Sequence, residues 1–85
     1  MKLTIGQRIK IARIRHRITQ VRLAEQIGIS TTALSQIENG ETTDPRMSTL
    51  IALADALQVS MDYLAGRKEE EGNKLSPVAE AMVPA

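Results

Sequence analysis

Cysteine, phenylalanine and tryptophan are absent from this chain, and its 85 residues include a single tyrosine, Tyr63. Without cysteine, neither a disulfide framework nor a thiolate metal site is available. One aromatic ring cannot supply the stacking platforms on which single-stranded nucleic acids bind, and it leaves the core to Ile, Leu, Val, Met and Ala, which suits a helical bundle. No apolar run is long enough to span a bilayer, and residues 1–14 are too interrupted by lysine and arginine to form a signal peptide, so no membrane partner is expected and the expected setting is cytoplasmic. A chain of this length allows one domain and leaves no room for a substantial enzyme cleft in addition to a core.

Acidic residues are missing from the first 24 positions, which carry the seven cations Lys2, Arg8, Lys10, Arg13, Arg15, Arg17 and Arg22. The formal net charge of +1 conceals this asymmetry: residues 1–66 hold eight cations against six acids, and residues 67–85 hold three against four. Local sign governs attraction to phosphates, because screening limits it to about one Debye length, ~8 Å at physiological salt. A solvated helix face is the plainer explanation of such a run, and the charge pattern alone does not choose between the two.

Stop and start signals divide the chain into five short helices. Thr4 and Gln7 have the spacing of a capping box, opening a first helix to about His16 with Ile5, Ile9 and Ala12 inward, Ile11 and Ile14 toward an adjoining side, and Ile18 packing from the connection. Thr19 caps a second helix with Leu23, Ala24 and Ile27 on one face, and Gly28 ends it. Ser30 caps a third, with Ala33, Leu34 and Ile37 inward, closed by Asn39-Gly40. Small Ala24 lets these two helices cross closely. A polar loop from Glu41 to Arg46 contains Pro45; a fourth helix follows from about Met47 to Leu57, and Ser60 caps a fifth that ends before Gly66. Residues 1–66 therefore form one domain, and residues 67–85 read as a charged linker and tail expected to be disordered, the alternative being a short helix at 77–83 marked by Ser76-Pro77 and the spacing of Val78, Ala81 and Met82.

Residues 5–64 resemble the lambda-repressor-like, Cro-type (Xre-like) helix-turn-helix family. The resemblance is carried by Thr19-Gln20, Leu23-Ala24, Gly28-Ile29-Ser30 and the run Ser35-Gln36-Ile37-Glu38-Asn39-Gly40, with Pro45, Leu50, Ala54, Leu57 and Val59 to Leu64 in keeping. It implies an all-α, five-helix domain with the helix-turn-helix unit at helices 2 and 3, and a double-stranded DNA partner for a transcriptional regulator, a repressor that binds a two-fold operator as a homodimer. Two departures stand out: Arg22 occupies a position often acidic in the family, and the loop from Glu41 to Arg46 is a residue longer than usual, with Glu41 and Asp44 where bases are frequent.

The resemblance also distributes roles. Thr31, Thr32, Ser35 and Gln36 fall on the groove-facing surface of helix 3, and their chemistry agrees, since Gln can contact adenine bidentately and Thr offers a hydroxyl and a methyl group suited to thymine. Gln20 and Asn39 match phosphate-gripping positions. Arg46 and Arg22 are candidates for further phosphates, as are Arg8 and Arg17. Arg13 and Glu38 match a structural ion pair. Met47, Val59, Met61 and Tyr63 follow the family's dimer side as exposed apolar residues, with Val78 and Met82 of the tail as an extension.

Catalysis finds no support, because no nucleophile, base and orienter occur together. His16, the lone histidine, has neither cysteine nor a neighbouring carboxylate to share a metal, so no metal or cofactor is expected. The competing reading is an antitoxin-like interaction module that holds a protein partner through its tail and uses DNA for autoregulation.

Overall fold

Among the described residues, every helix but one begins at a side chain that accepts a backbone N–H of the first turn. The computed structural model describes residues 3–67, with helices α1 (Ile5–Arg15), α2 (Gln20–Ile27), α3 (Thr31–Glu38), α4 (Met47–Leu57) and α5 (Met61–Leu64). Met1, Lys2 and the tail segment 68–85, with its alternative readings of disorder or a short helix at 77–83 and the apolar Val78 and Met82, lie outside the described residues. Thr4, Thr19, Ser30 and Ser60 accept from the N–H groups of Gln7, Arg22, Ala33 and Tyr63, and the Gln7 side chain accepts the Thr4 N–H in return at 2.8 Å, completing the capping box. Such caps stabilise a helix end by about 1 kcal/mol each, which matters for helices of eight residues that do not persist alone. The exception is α4, whose N-cap Arg46 makes no side-chain cap bond and follows Pro45.

The core sits where α1 crosses α3, α4 and α5 while α2 packs on α3 and α4. Ile9, Leu23, Leu34, Leu53, Leu57 and Leu64 are its fully buried side chains, one or two from each helix. Each contributes roughly 1.5 to 3 kcal/mol by burial, offsetting the entropy of ordering so short a chain. Ala12, Ala24 and Ala54 are buried between them, as small residues at helix crossings must be. Ile11 is half-buried, whereas Ile14 and Ile51 are exposed.

Two expectations about α1 and α5 are corrected. Tyr63, expected among exposed apolar residues, is only 3% exposed, and Arg8, expected as a surface cation, is only 2% exposed. The reason is mutual: the Arg8 guanidinium lies over the Tyr63 ring at 5.1 Å, so the one aromatic face of the chain is occupied by a cation from α1. Met61 and Val59 are half-buried and Met47 is exposed. No helix among the described residues is long and apolar enough to cross a membrane.

Gly6 is buried in the first turn of α1, where a Cβ would stand 2.1 Å from the Ile37 carbonyl oxygen and 2.7 Å from that of Glu38. The α1 backbone therefore rests directly on the C-terminal turn of α3. Gly6→Ala is expected to destabilise the domain by about 1 to 3 kcal/mol, since only backbone movement can relieve the overlap. Gln58, which holds φ +57 at the end of α4, should behave oppositely: Gln58→Gly is expected to stabilise by about 0.5 to 1 kcal/mol. Thermal melts of the two variants check both signs.

Candidate nucleic-acid interface

The exposed side of α3 is set by its buried side. Leu34 and Ile37 enter the core, which turns Thr32 and Gln36 fully outward and leaves Thr31 and Ser35 half-buried on the same flank. Positions i, i+1, i+4 and i+5 form one continuous polar strip along a helix. Its lower end is fixed by the loop, because the Gln36 carbonyl accepts the N–H groups of both Glu41 (2.9 Å) and Thr42 (3.1 Å) through the left-handed turn at Gly40, φ +86. Asn39 Nδ2 donates to Ser35 Oγ at 3.3 Å, so one expected base reader and one expected phosphate anchor are in contact.

What holds this strip to the rest of the domain is a buried polar network. Glu38, at the last turn of α3, has a fully buried side chain. Arg13 of α1 meets it in a two-pronged geometry, Nε donating to Oε2 at 2.7 Å and Nη2 to Oε1 at 3.1 Å, while Nη1 donates to the Ile18 carbonyl at 2.8 Å. Gln20, the first residue of α2, donates Nε2 to Glu38 Oε1 at 2.9 Å. One carboxylate thus gathers α1, the α1–α2 turn, the start of α2 and the end of α3. Bidentate, charge-assisted bonds of this kind offset the desolvation that an isolated buried carboxylate would suffer.

This network gave only part of itself away in the sequence. The resemblance pairs Arg13 with Glu38, but nothing there signalled that Gln20 commits one amide N–H to the same carboxylate, leaving its other N–H and its carbonyl for an outside group. Gly6 was also missed, although a glycine inside a helix is itself a sign of close packing.

The charge pattern resolves in space as well. Of the N-terminal cations, Arg8 and Arg13 are spent inside the fold, while Lys10, Arg15, Arg17 and Arg22 are exposed. Arg46, at the start of α4, is exposed too. The Thr19 hydroxyl accepts the Arg22 N–H at 3.1 Å, which leaves the Gln20 and Val21 N–H groups at the start of α2.

Comparison with known proteins agrees with this architecture. The family profile described as helix-turn-helix matches residues 9–64. The chain is 40% identical over 73 residues to the immunity repressor protein of Bacillus phage phi105, spanning 81% of this chain and 50% of that protein, and 43% identical over 60 residues to repressor protein C2 of Salmonella phage P22, spanning 71% of this chain and 27% of that protein. It therefore covers half the length or less of these two relatives. Among solved structures, the P22 c2 repressor in complex with a synthetic operator superposes with a TM-score of 0.71 at 41% identity, covering 75% of this chain and 96% of that chain. SinR of Bacillus subtilis in complex with DNA gives 0.69 at 36% identity, covering 72% and 97%.

Because Glu38 has no exposure through which water could replace a lost partner, Arg13→Ala and Glu38→Ala are each expected to cost about 3 to 5 kcal/mol, against under about 1 for an exposed pair. A double-mutant cycle in denaturant should show the two losses to be strongly coupled; additive losses would mean that the pair contributes nothing of its own. With a helix-turn-helix profile covering 9–64 and this five-helix fold in hand, the chain belongs to the Cro/C1-type (Xre-like) helix-turn-helix DNA-binding family.

Proposed function

We propose that this protein is a sequence-specific double-stranded-DNA-binding transcriptional regulator, a repressor that binds a two-fold operator as a dimer with α3 in the major groove. The observation that carries the reading is the outward strip Thr31, Thr32, Ser35 and Gln36, held by a buried ion pair in a fold shared with two regulators solved on DNA. Relatives named as repressors support the sign of regulation. Gln36 is the best base reader of the four, being exposed and able to meet adenine with two hydrogen bonds, while the threonine methyl groups suit thymine. Arg and Lys do not occur in α3, so bidentate reading of guanine is not assigned to it.

Anchoring to phosphate falls to Gln20, Asn39, Arg22 and Arg46, with the first-turn amides of α2 beside them. Gln20 couples this contact to the scaffold through Glu38. One recognition helix covers only a few base pairs, so useful specificity requires two copies on half-sites about one helical turn, ~34 Å, apart. For the dimer contact we assign Met47, Val59 and Met61, with Tyr63 removed because Arg8 and the core already cover it.

A second reading has one specific support. A solved SinR–SinI protein complex is similar to this chain, with a TM-score of 0.74 at 31% identity. A protein partner bound through residues 67–85 would make the chain the interaction module described above, with DNA binding retained. Pull-down with and without those residues separates the readings: loss of a partner with DNA binding intact favours the second.

Gln36→Ala is expected to relax preference at one operator position and to cost ~1 to 3 kcal/mol on the preferred duplex with little loss on random DNA. Arg46→Ala or Asn39→Ala should instead weaken both duplexes by a similar factor. With ~5 phosphates neutralised per protomer, log affinity should fall against log salt with a slope near −4 to −5. Fluorescence anisotropy titrations measure all three, and a flat salt dependence would remove the electrostatic assignment.

A further inference from the structure

All five described helices end in the same turn. Arg17 after α1, Gly28 after α2, Gly40 after α3, Gln58 after α4 and Gly66 after α5 take φ of +57, +80, +86, +57 and +84. In each case the next residue's N–H reaches back to a carbonyl five positions earlier: Ile18 to Arg13 at 3.2 Å, Ile29 to Ala24 at 3.0 Å, Glu41 to Gln36 at 2.9 Å, Val59 to Ala54 at 3.0 Å and Arg67 to Asp62 at 2.8 Å. This is the Schellman closure, whose left-handed position glycine occupies without steric cost and other residues only with strain. Glycine stands there after α2, α3 and α5, and only α1 and α4 of the described helices use another residue.

The arginine at the α1 turn is therefore not the residue the backbone would select. Its side chain is not invested in the fold either, since Arg17 is exposed and forms no ion pair among the described residues. A left-handed φ alone assigns no role, because Gln58 has the same one. What distinguishes Arg17 is its charge and place. It stands two residues before Thr19, the cap of α2, between exposed Arg15 and exposed Arg22, in a stretch with no acid before Glu25. Ile18, its neighbour, is tied by its carbonyl to Arg13 and so to the Glu38 network, which fixes where the Arg17 side chain begins.

We propose that Arg17 is a DNA-phosphate contact, kept at a turn that glycine would hold more tightly, extending the anchor at the start of α2 by one phosphate. The inference rests on the DNA-binding reading and adds a residue to it: stability at the α1–α2 corner is exchanged for a cation, a trade that strained positions make at functional surfaces.

The test compares Arg17→Gly, Arg17→Lys and Gln58→Gly by thermal melting, and by anisotropy on a selected duplex and a random-sequence duplex over a salt series. Arg17→Gly and Gln58→Gly should both melt a few degrees higher than the parent chain. Arg17→Gly alone should lose affinity, roughly three- to tenfold and equally on both duplexes, with a salt slope shallower by about one; Arg17→Lys should keep the parent slope. Unchanged affinity and slope in Arg17→Gly would overturn the contact, and a lowered melting temperature would overturn the trade. If the parent chain binds neither duplex at any salt, the DNA-binding reading falls, and this contact with it.

Discussion

The Glu38 carboxylate is the point on which the geometry of this domain turns. It is buried, it sits at the end of the helix whose other face is polar and exposed, and its partners come from two other helices, Arg13 from α1 and Gln20 from α2. Hydrophobic packing alone is non-directional and would leave so short a helix free to rotate or slide among similar arrangements. Directional bonds from Arg13 and Gln20 remove that freedom at one end, and the contact of Gly6 with the carbonyls of Ile37 and Glu38 removes it along α1. The expense of burying a charge is thereby converted into a fixed pose for Thr31, Thr32, Ser35 and Gln36.

The same economy explains the uneven charge. An N-terminal segment with no acid looks like a uniform basic surface, yet two of its arginines act inside the fold, one against a carboxylate and one against an aromatic ring. The remaining exposed cations lie on α1, at the corner where α1 meets α2, and in the first turn of α2. Phosphate attraction and internal structure thus draw on the same residue type, and only the packing decides which arginine serves which end.

Much of the architecture was legible because it is local. Thr4, Thr19, Ser30 and Ser60 each announce a helix start by chemistry that reaches three residues, and apolar spacing fixes which face of each helix turns inward. Non-local matters were less legible. The periodicity of Ile5, Ile9 and Ala12 places Arg8 on the inner face, but an arginine is not expected there until its ring partner on α5 is known. Tyr63 was misread for the complementary reason. Gln20 is another case: its position suggests an anion contact, whereas its bond to Glu38 depends on how α2 meets α3. Arg17 and Gln58 gave no sign of their left-handed backbone, since sequence reasoning looks for glycine or asparagine in such turns.

In the function proposed above, a strip of four side chains, posed by the Glu38 network and presented twice, reads duplex DNA. Repeated selection of bound sites from a random duplex library tests it most directly. The account predicts enrichment of a short element present in two inverted copies whose centres lie about one helical turn apart, with A·T pairs at the position facing Gln36. A pool that binds no better than the starting library after selection, or one that converges on no common element, would contradict it.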